Sequence, residues 1–144
     1  MSDKPKLSRH AAREIVFQLL FAREFDREAD ALEFYDNHAD NSEIEYNDYI
    51  RETFLGVCEK QPELDPVIEG ASIKWKMSRM STATRSVLRL AVYEMTYTEV
   101  PAKVVLNEAV EIIKTFDDEN APAFVNGILN KIARDISKIS TENA

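Results

Sequence analysis

The sequence predicts an all-α protein of seven helices, on three observations. Apolar residues recur at three- and four-residue spacing in seven successive segments. Nowhere do they alternate with polar residues as in a half-buried strand. Only three glycines occur, Gly56, Gly70 and Gly127, few for a chain built from tight β-turns. At 144 residues the chain fits one domain, with an N-terminal half over about 8–60 and a C-terminal half over about 62–137 sharing one core. A chain of this size buries roughly 70% of the surface that it exposes when unfolded, so it needs no disulfide or metal to fold.

Ser8 is a good N-cap for the first helix, which should run to about Phe25 with Ala12, Ile15, Val16, Leu19 and Leu20 inward. A second ridge reads Arg9, Arg13, Phe17, Phe21, Phe25, basic at its start and aromatic toward its end, where it should enter apolar territory. A shorter helix over 28–37 precedes a polar loop at 38–45. The next helix spans about 46–59 with Tyr49, Ile50, Thr53, Phe54, Val57 and Cys58 on one side. Pro62 suits the first turn of a fourth helix, whose apolar face continues through Leu64, Val67, Ile68 and Ala71 toward Trp75. Trp75 reads as a core residue or an anchor between the halves.

Residues 76–84 form a connection rich in Ser and Thr that ends in a new N-cap. The fifth helix, STATRSVLRLAVYEMTY, carries the broadest apolar stripe and stops before Val100-Pro101. A sixth covers 103–116 with Val105, Leu106, Ala109, Ile112, Ile113 and Phe116 inward. The last covers 123–137 with Phe124, Val125, Ile128, Leu129, Ile132 and Ile136 inward, and the tail STENA should fray.

The net charge of -8 argues against indiscriminate nucleic-acid binding, but the charge is unevenly placed. Residues 26–48 hold nine acids and one base, Arg27. Lys4, Lys6, Arg9 and Arg13 face only Asp3 and Glu14, and residues 74–89 contain Lys74, Lys76, Arg79, Arg85 and Arg89 with no acid. Two such stretches can attract phosphate on an acidic protein; solvated helix faces are the plainer explanation. Cys58 is the only cysteine, so an internal disulfide is excluded and a buried, inert thiol in a reducing compartment is expected. No apolar run approaches the roughly 20 residues of a membrane span, and no signal peptide opens the chain, so a cytoplasmic protein is expected.

Catalysis is not expected. His10 and His38 stand in different elements and share no metal-ligand spacing with Cys58. No glycine-rich phosphate loop or nucleophile motif occurs, and the acidic stretch lacks the Glu-x-x-His pairs of helical two-metal sites. Neither a metal nor a cofactor is therefore expected.

Specific motifs then enter. RSVLRLAVYEM, VPAKVVLNEAVEIIKTF and FVNGILNKI resemble, in order and spacing, the C-terminal half of the NusB family. SRHAAREIVFQLLF looks like the family's arginine-rich opening helix, and GVCEKQPELDPVIEGASIKWKMSRMS matches its middle more loosely. The resemblance implies seven helices in two packed subdomains, three helices against four. It further implies binding to boxA-type single-stranded RNA together with a small-subunit ribosomal protein, NusE. In the transcription elongation complex the assembly would help polymerase resist termination and promote rRNA transcription.

Matched to the family's basic motif, Arg9, His10 and Arg13 are the first RNA-binding candidates and Lys6 the next, with Lys4 and Lys6 in an arm ahead of the cap. Such residues supply what single-stranded RNA needs: cations for phosphates and planar groups for unpaired bases. The stretch is less basic than the family's, which predicts a stronger dependence on the partner. Phe124, in FVNG, either staples the last helix to the core or stacks on a base, while Asn126 and Gly127 read as structural, the glycine permitting close helix packing. Arg85 and Arg89 either touch RNA or partner, or pair with Glu94 and Glu108. Some family members self-associate over the RNA-binding face, so a homodimer stays open. A purely protein-binding helical adaptor is the main rival. The RNA-binding module of an RNA-modifying enzyme is another, disfavoured because no cofactor-binding βαβ unit follows.

Overall fold

A computed structural model of the chain describes residues 6–73 and 75–142. Among these residues lie six α-helices and no strand: α1 (Arg9–Arg23), α2 (Ala31–Asp40), α3 (Asp48–Ala71), α4 (Thr82–Tyr97), α5 (Ala102–Phe116) and α6 (Ala121–Glu142). A short 3-10 turn, Met77–Arg79, links α3 to α4. Lys4 and Lys74, from the two basic stretches, lie outside the described residues, as do Asn143 and Ala144 of the tail expected to fray.

The class is all-α as expected, but the helices number six rather than seven. The difference lies at Pro62, expected to open a new helix, which stands with Pro66 inside a continuous α3. Both prolines are exposed, whereas Leu64 and Ile68 are buried. Four residues apart, the two rings share the solvent side, where water can satisfy the carbonyls that they deprive of amide donors. An interior proline costs about 3 kcal/mol. Burying Leu64 and Ile68 on one uninterrupted helix returns about 2 kcal/mol each and offsets much of that.

The chain divides into two compact units, Met1–Glu59 and Lys60–Ala144. In the first, Ser8 caps α1, its Oγ accepting the Ala11 amide at 3.0 Å. Ala12, Val16, Phe17, Leu19 and Leu20 are buried, and Ile15 is half-buried. Asp30 caps α2 by accepting the Glu33 amide at 3.2 Å, so this helix starts and ends about three residues later than expected. Asn47 does the same for α3, accepting the Ile50 amide at 2.9 Å. The rings of Phe34 and Tyr35 stand 5.8 and 6.1 Å from Phe54 and fill this unit's core. The aromatic ridge of α1 does not continue inward. The helix ends at Arg23, so Phe25 falls in the turn beyond and is 74% exposed, its ring tilted against that of a partly exposed Phe21 at 5.4 Å.

In the second unit α4, α5 and α6 each pack against the other two. Val87, Leu88, Ala91, Val105, Ala109, Ile112, Ile113, Val125, Leu129 and Ile132 form its core. Phe116, expected inward, is the last residue of α5 and stays partly exposed. Trp75, expected in a core or as an anchor, is 47% exposed. It follows α3 in a connection whose buried members are Met77 and Met80 instead. Gly127 permits no close packing either: a Cβ added there would meet nothing within 4 Å. Cys58 is half-buried.

Candidate nucleic-acid interface

The opening turn of α1 leaves its first amides pointing outward, which favours anions. Lys6 and Arg9 are exposed around this cap. The Arg9 guanidinium lies 4.0 Å over the Tyr49 ring of α3, a cation–π contact. Arg9 has no carboxylate partner among the described residues, so it rests against the ring while its N–H groups stay available. His10 is exposed, with Nε2 3.6 Å from a Glu14 carboxylate oxygen.

Arg13 departs from expectation. It is 5% exposed, with its guanidinium 5.8 Å from the same Tyr49 ring. The four-residue ridge that joins it to Arg9 also joins it to buried Phe17, and the inward side extends one turn further toward the N-terminus than the apolar pattern suggests. Arg13 therefore supports the Tyr49 platform from within instead of presenting a charge to solvent.

The two arginines of α4 are held by partners within the second unit. Arg89 is 7% exposed, and its Nε and Nη2 donate to the two oxygens of Asp65 at 2.8 and 3.0 Å. This is a fork-on-fork pairing, with a partner, Asp65, that sequence reasoning did not name. Arg85 donates from Nη1 to the carbonyls of Met77 at 3.2 Å and Met80 at 2.7 Å, and from Nη2 to Thr82 Oγ1 at 3.3 Å. It thus ties the 3-10 turn to the start of α4.

Phe124 stands half-buried in the first turn of α6. That helix is capped by Asp118, whose Oδ1 accepts the amides of Asn120 at 2.9 Å and Ala121 at 3.2 Å. The adjoining Asp117 accepts from Ser81 Oγ and, at 2.9 Å, from Thr84 Oγ1, pinning the α5–α6 loop to the start of α4. Burial works to raise Asp117, but hydrogen bonds from Ser81, the Asp118 amide and Thr84 outweigh it and hold the carboxyl below its ordinary range. Beside this joint is a cavity of about 240 Å³ walled by Trp75, Arg79, Thr84, Asp117 and Phe124. Asn126 and Gly127 are exposed on the next turn of α6.

No group of three or more His, Cys, Asp or Glu that could hold a metal occurs among the described residues. No helix among them is long and apolar enough to cross a membrane.

Fold and site define a small all-α protein of two helical units, one presenting a capped arginine on an aromatic platform, the other an aromatic-walled cavity. Residues 10–134 match the NusB family, and the chain belongs to that family. It is 41% identical over 133 residues to the transcription antitermination protein NusB of Bacillus velezensis, covering 90% of this chain and 98% of that one. With the Clostridium perfringens protein of the same name (strain SM101) it shares 36% over 135 residues, covering 90% and 99%. Among solved structures, NusB of T. maritima superposes with a TM-score of 0.79 at 34% identity, covering 90% of this chain and 93% of that one. A chain from a complex of antitermination factors NusB and NusE with double-stranded RNA superposes with a TM-score of 0.76 at 26% identity, covering 88% and 96%.

Proposed function

We propose that this protein is a transcription antitermination factor that binds boxA-type single-stranded RNA together with NusE, in the elongation complex, and so promotes rRNA transcription. The observation that carries the reading is the exposed Arg9 guanidinium laid over Tyr49 at a capped helix start. Held against a ring, the arginine loses less side-chain entropy when it meets a phosphate. Lys6 and His10 flank it and Arg13 holds the platform. Phe124 supplies a ring for an unpaired base; Arg85 and Arg89 maintain the fold of the second unit. Family membership supports the reading, as does the likeness to a NusB chain solved with NusE and RNA.

The exposed pair Phe21–Phe25 on the first unit gives a protein partner an apolar step to cover. We assign NusE to it, with RNA at the opposite end of α1. The protein acts by binding, without catalysis, in the cytoplasm. A homodimer that covered the opening turn of α1 would hide Arg9 and compete with RNA, so RNA and self-association are expected to exclude one another.

The test is fluorescence anisotropy of a labelled boxA-like RNA and a scrambled control, with and without NusE. Preference for the boxA-like strand, tightened by NusE and lost with Arg9→Ala plus Lys6→Ala, supports the reading. Equal or absent binding of both strands with NusE present would leave a helical protein adaptor in its place.

A further inference from the structure

α3 runs without a break from Asp48 to Ala71, yet the boundary between the two compact units falls inside it, between Glu59 and Lys60. We infer that residues 58–63 of α3 are a hinge, where the helix bends so that either unit turns without disturbing the core of the other. The hinge follows from the fold alone, whatever the protein binds, and a ligand that grips both units must still this motion as it binds.

Three features place it there. The first is the backbone. Pro62 and Pro66 each lack the amide that would donate one turn back, so two successive rungs of the helical ladder are missing. Sharp bends in helices concentrate at such positions. The second is a gap in the packing. The inward ridge of α3 reads Ile50, Phe54, Val57, Gln61, Leu64, Ile68, and every member is buried except Gln61, which is polar and half-buried. No residue of 58–63 is buried at all, whereas a helix packed along its length buries one every three or four residues. A proline pair merely tolerated on the wet side would leave the inward side packed through position 61. Lys60 does reach over the Tyr97 ring, at 5.3 Å, but a cation–π contact to an exposed ring is weak. The third is that both flanks are held. Before the gap, Phe54 packs against Phe34 and Tyr35. Beyond it, Asp65 takes the Arg89 fork and Glu69 Oε1 accepts the Met77 amide at 2.7 Å. Two fixed arms joined by a stretch short of rungs and of core contacts concentrate bending in that stretch.

Two NMR measurements on the full-length protein test it. In native-state amide exchange, residues 59–61 and 63 should exchange at least about tenfold faster than Phe54 and Ile68. Their rates should also depend little on low concentrations of urea, because a local opening exposes little surface, whereas Phe54 and Ile68 should accelerate with urea. Pro62→Ala restores one rung and Gln61→Leu fills the inward position with a good helix former. Each should slow exchange across 59–63 about fivefold, and the double variant more. Residual dipolar couplings read the motion itself: in wild type the two units should need alignments of different magnitude, and in the double variant one alignment should fit both. If 59–63 are as protected as Phe54 and Ile68 and share their urea dependence, α3 opens only with the whole fold and the inference falls. If the stretch exchanges fast but one alignment already fits both wild-type units, it opens without moving them, and the inference falls likewise. Couplings that still need two alignments in the double variant would place the bend elsewhere, which also overturns it.

Discussion

Arg9 and Arg89 each stand on a helix with another arginine four residues away, yet they are held in opposite ways. Arg9 lies in water over Tyr49 at the start of α1, whereas Arg89 lies 7% exposed with both carboxylate oxygens of Asp65 on its fork. The difference is one of acceptors. A guanidinium given a carboxylate or carbonyls becomes part of the scaffold; one given only an aromatic face keeps its donors for a ligand. Charge and spacing alone do not separate the two cases. What the protein places within about 3 Å of the nitrogens does.

The largest effect that sharpens this contrast belongs to Arg89. Removing one partner of a buried ion pair strands the other charge, at about 3–5 kcal/mol when burial is complete. Asp65 keeps 28% of its side chain in water, so Arg89→Ala is expected to cost about 3 kcal/mol, near the lower end of that range. Urea unfolding reads this directly, and the fraction that remains folded should bind RNA like wild type. Loss of RNA affinity without loss of stability would put Arg89 in the interface and break the contrast.

Next comes Arg9→Ala, expected to weaken the boxA-like RNA about tenfold, or about 1.4 kcal/mol, as measured by anisotropy. Its unfolding free energy should move by less than about 0.5 kcal/mol, as for a surface residue. Tyr49→Leu should reproduce part of the affinity loss by removing the ring that holds the guanidinium, whereas Tyr49→Phe should not.

Arg85→Ala removes a donor from two carbonyls and a hydroxyl, at about 1–2 kcal/mol, since these acceptors can be partly rehydrated. It should loosen the 3-10 turn, with faster amide exchange at Arg79 and Met80, and leave RNA affinity unchanged.

The smallest expected effect is a pH dependence at Asp117. Its folded pKa is depressed, so the folded state favours the carboxylate, and the group contributes stability above its unfolded pKa of about 3.9. That contribution is lost as pH falls through the lower folded value. Asp117→Asn should therefore be less stable than wild type at neutral pH, with the gap in urea midpoint closing in the acid range. A gap that is constant with pH would mean that the hydrogen bonds of Ser81 and Thr84 are worth the same to an amide as to a carboxylate.

Much of the fold was legible because helix starts are local. Ser8 sits three residues before the amide that it accepts, and the apolar stripes of α4 and α5 name most of the residues that are buried. Pro62 misled because a proline in a first turn and a proline on the wet side of a long helix look alike in sequence; only the backbone, helical without a break from Asp48 to Ala71, separates them. At the candidate site, the exposure of Lys6, Arg9 and His10 was legible from charge beside a cap. Tyr49, some 40 residues from Arg9, and Asp65, 24 residues from Arg89, were not, since nothing local marks a tertiary partner. The burial of Arg13 escaped for a related reason, as a long stem with a charged tip can follow an apolar ridge inward. Trp75 carried the opposite error, because aromatic residues are read as core by default and this one is 47% exposed.

The most direct test of the central claim, that the cations of the opening turn of α1 and not those of α4 meet phosphate, is the salt dependence of RNA affinity. With NusE present and about three or four phosphates neutralised on a single strand, log affinity should fall against log salt with a slope of roughly -2 to -3. Arg9→Ala should make that slope shallower by about 0.7, the share of one phosphate, and Arg85→Ala should leave it as in wild type. A slope unchanged by Arg9→Ala, or one made shallower by Arg85→Ala, would contradict the claim.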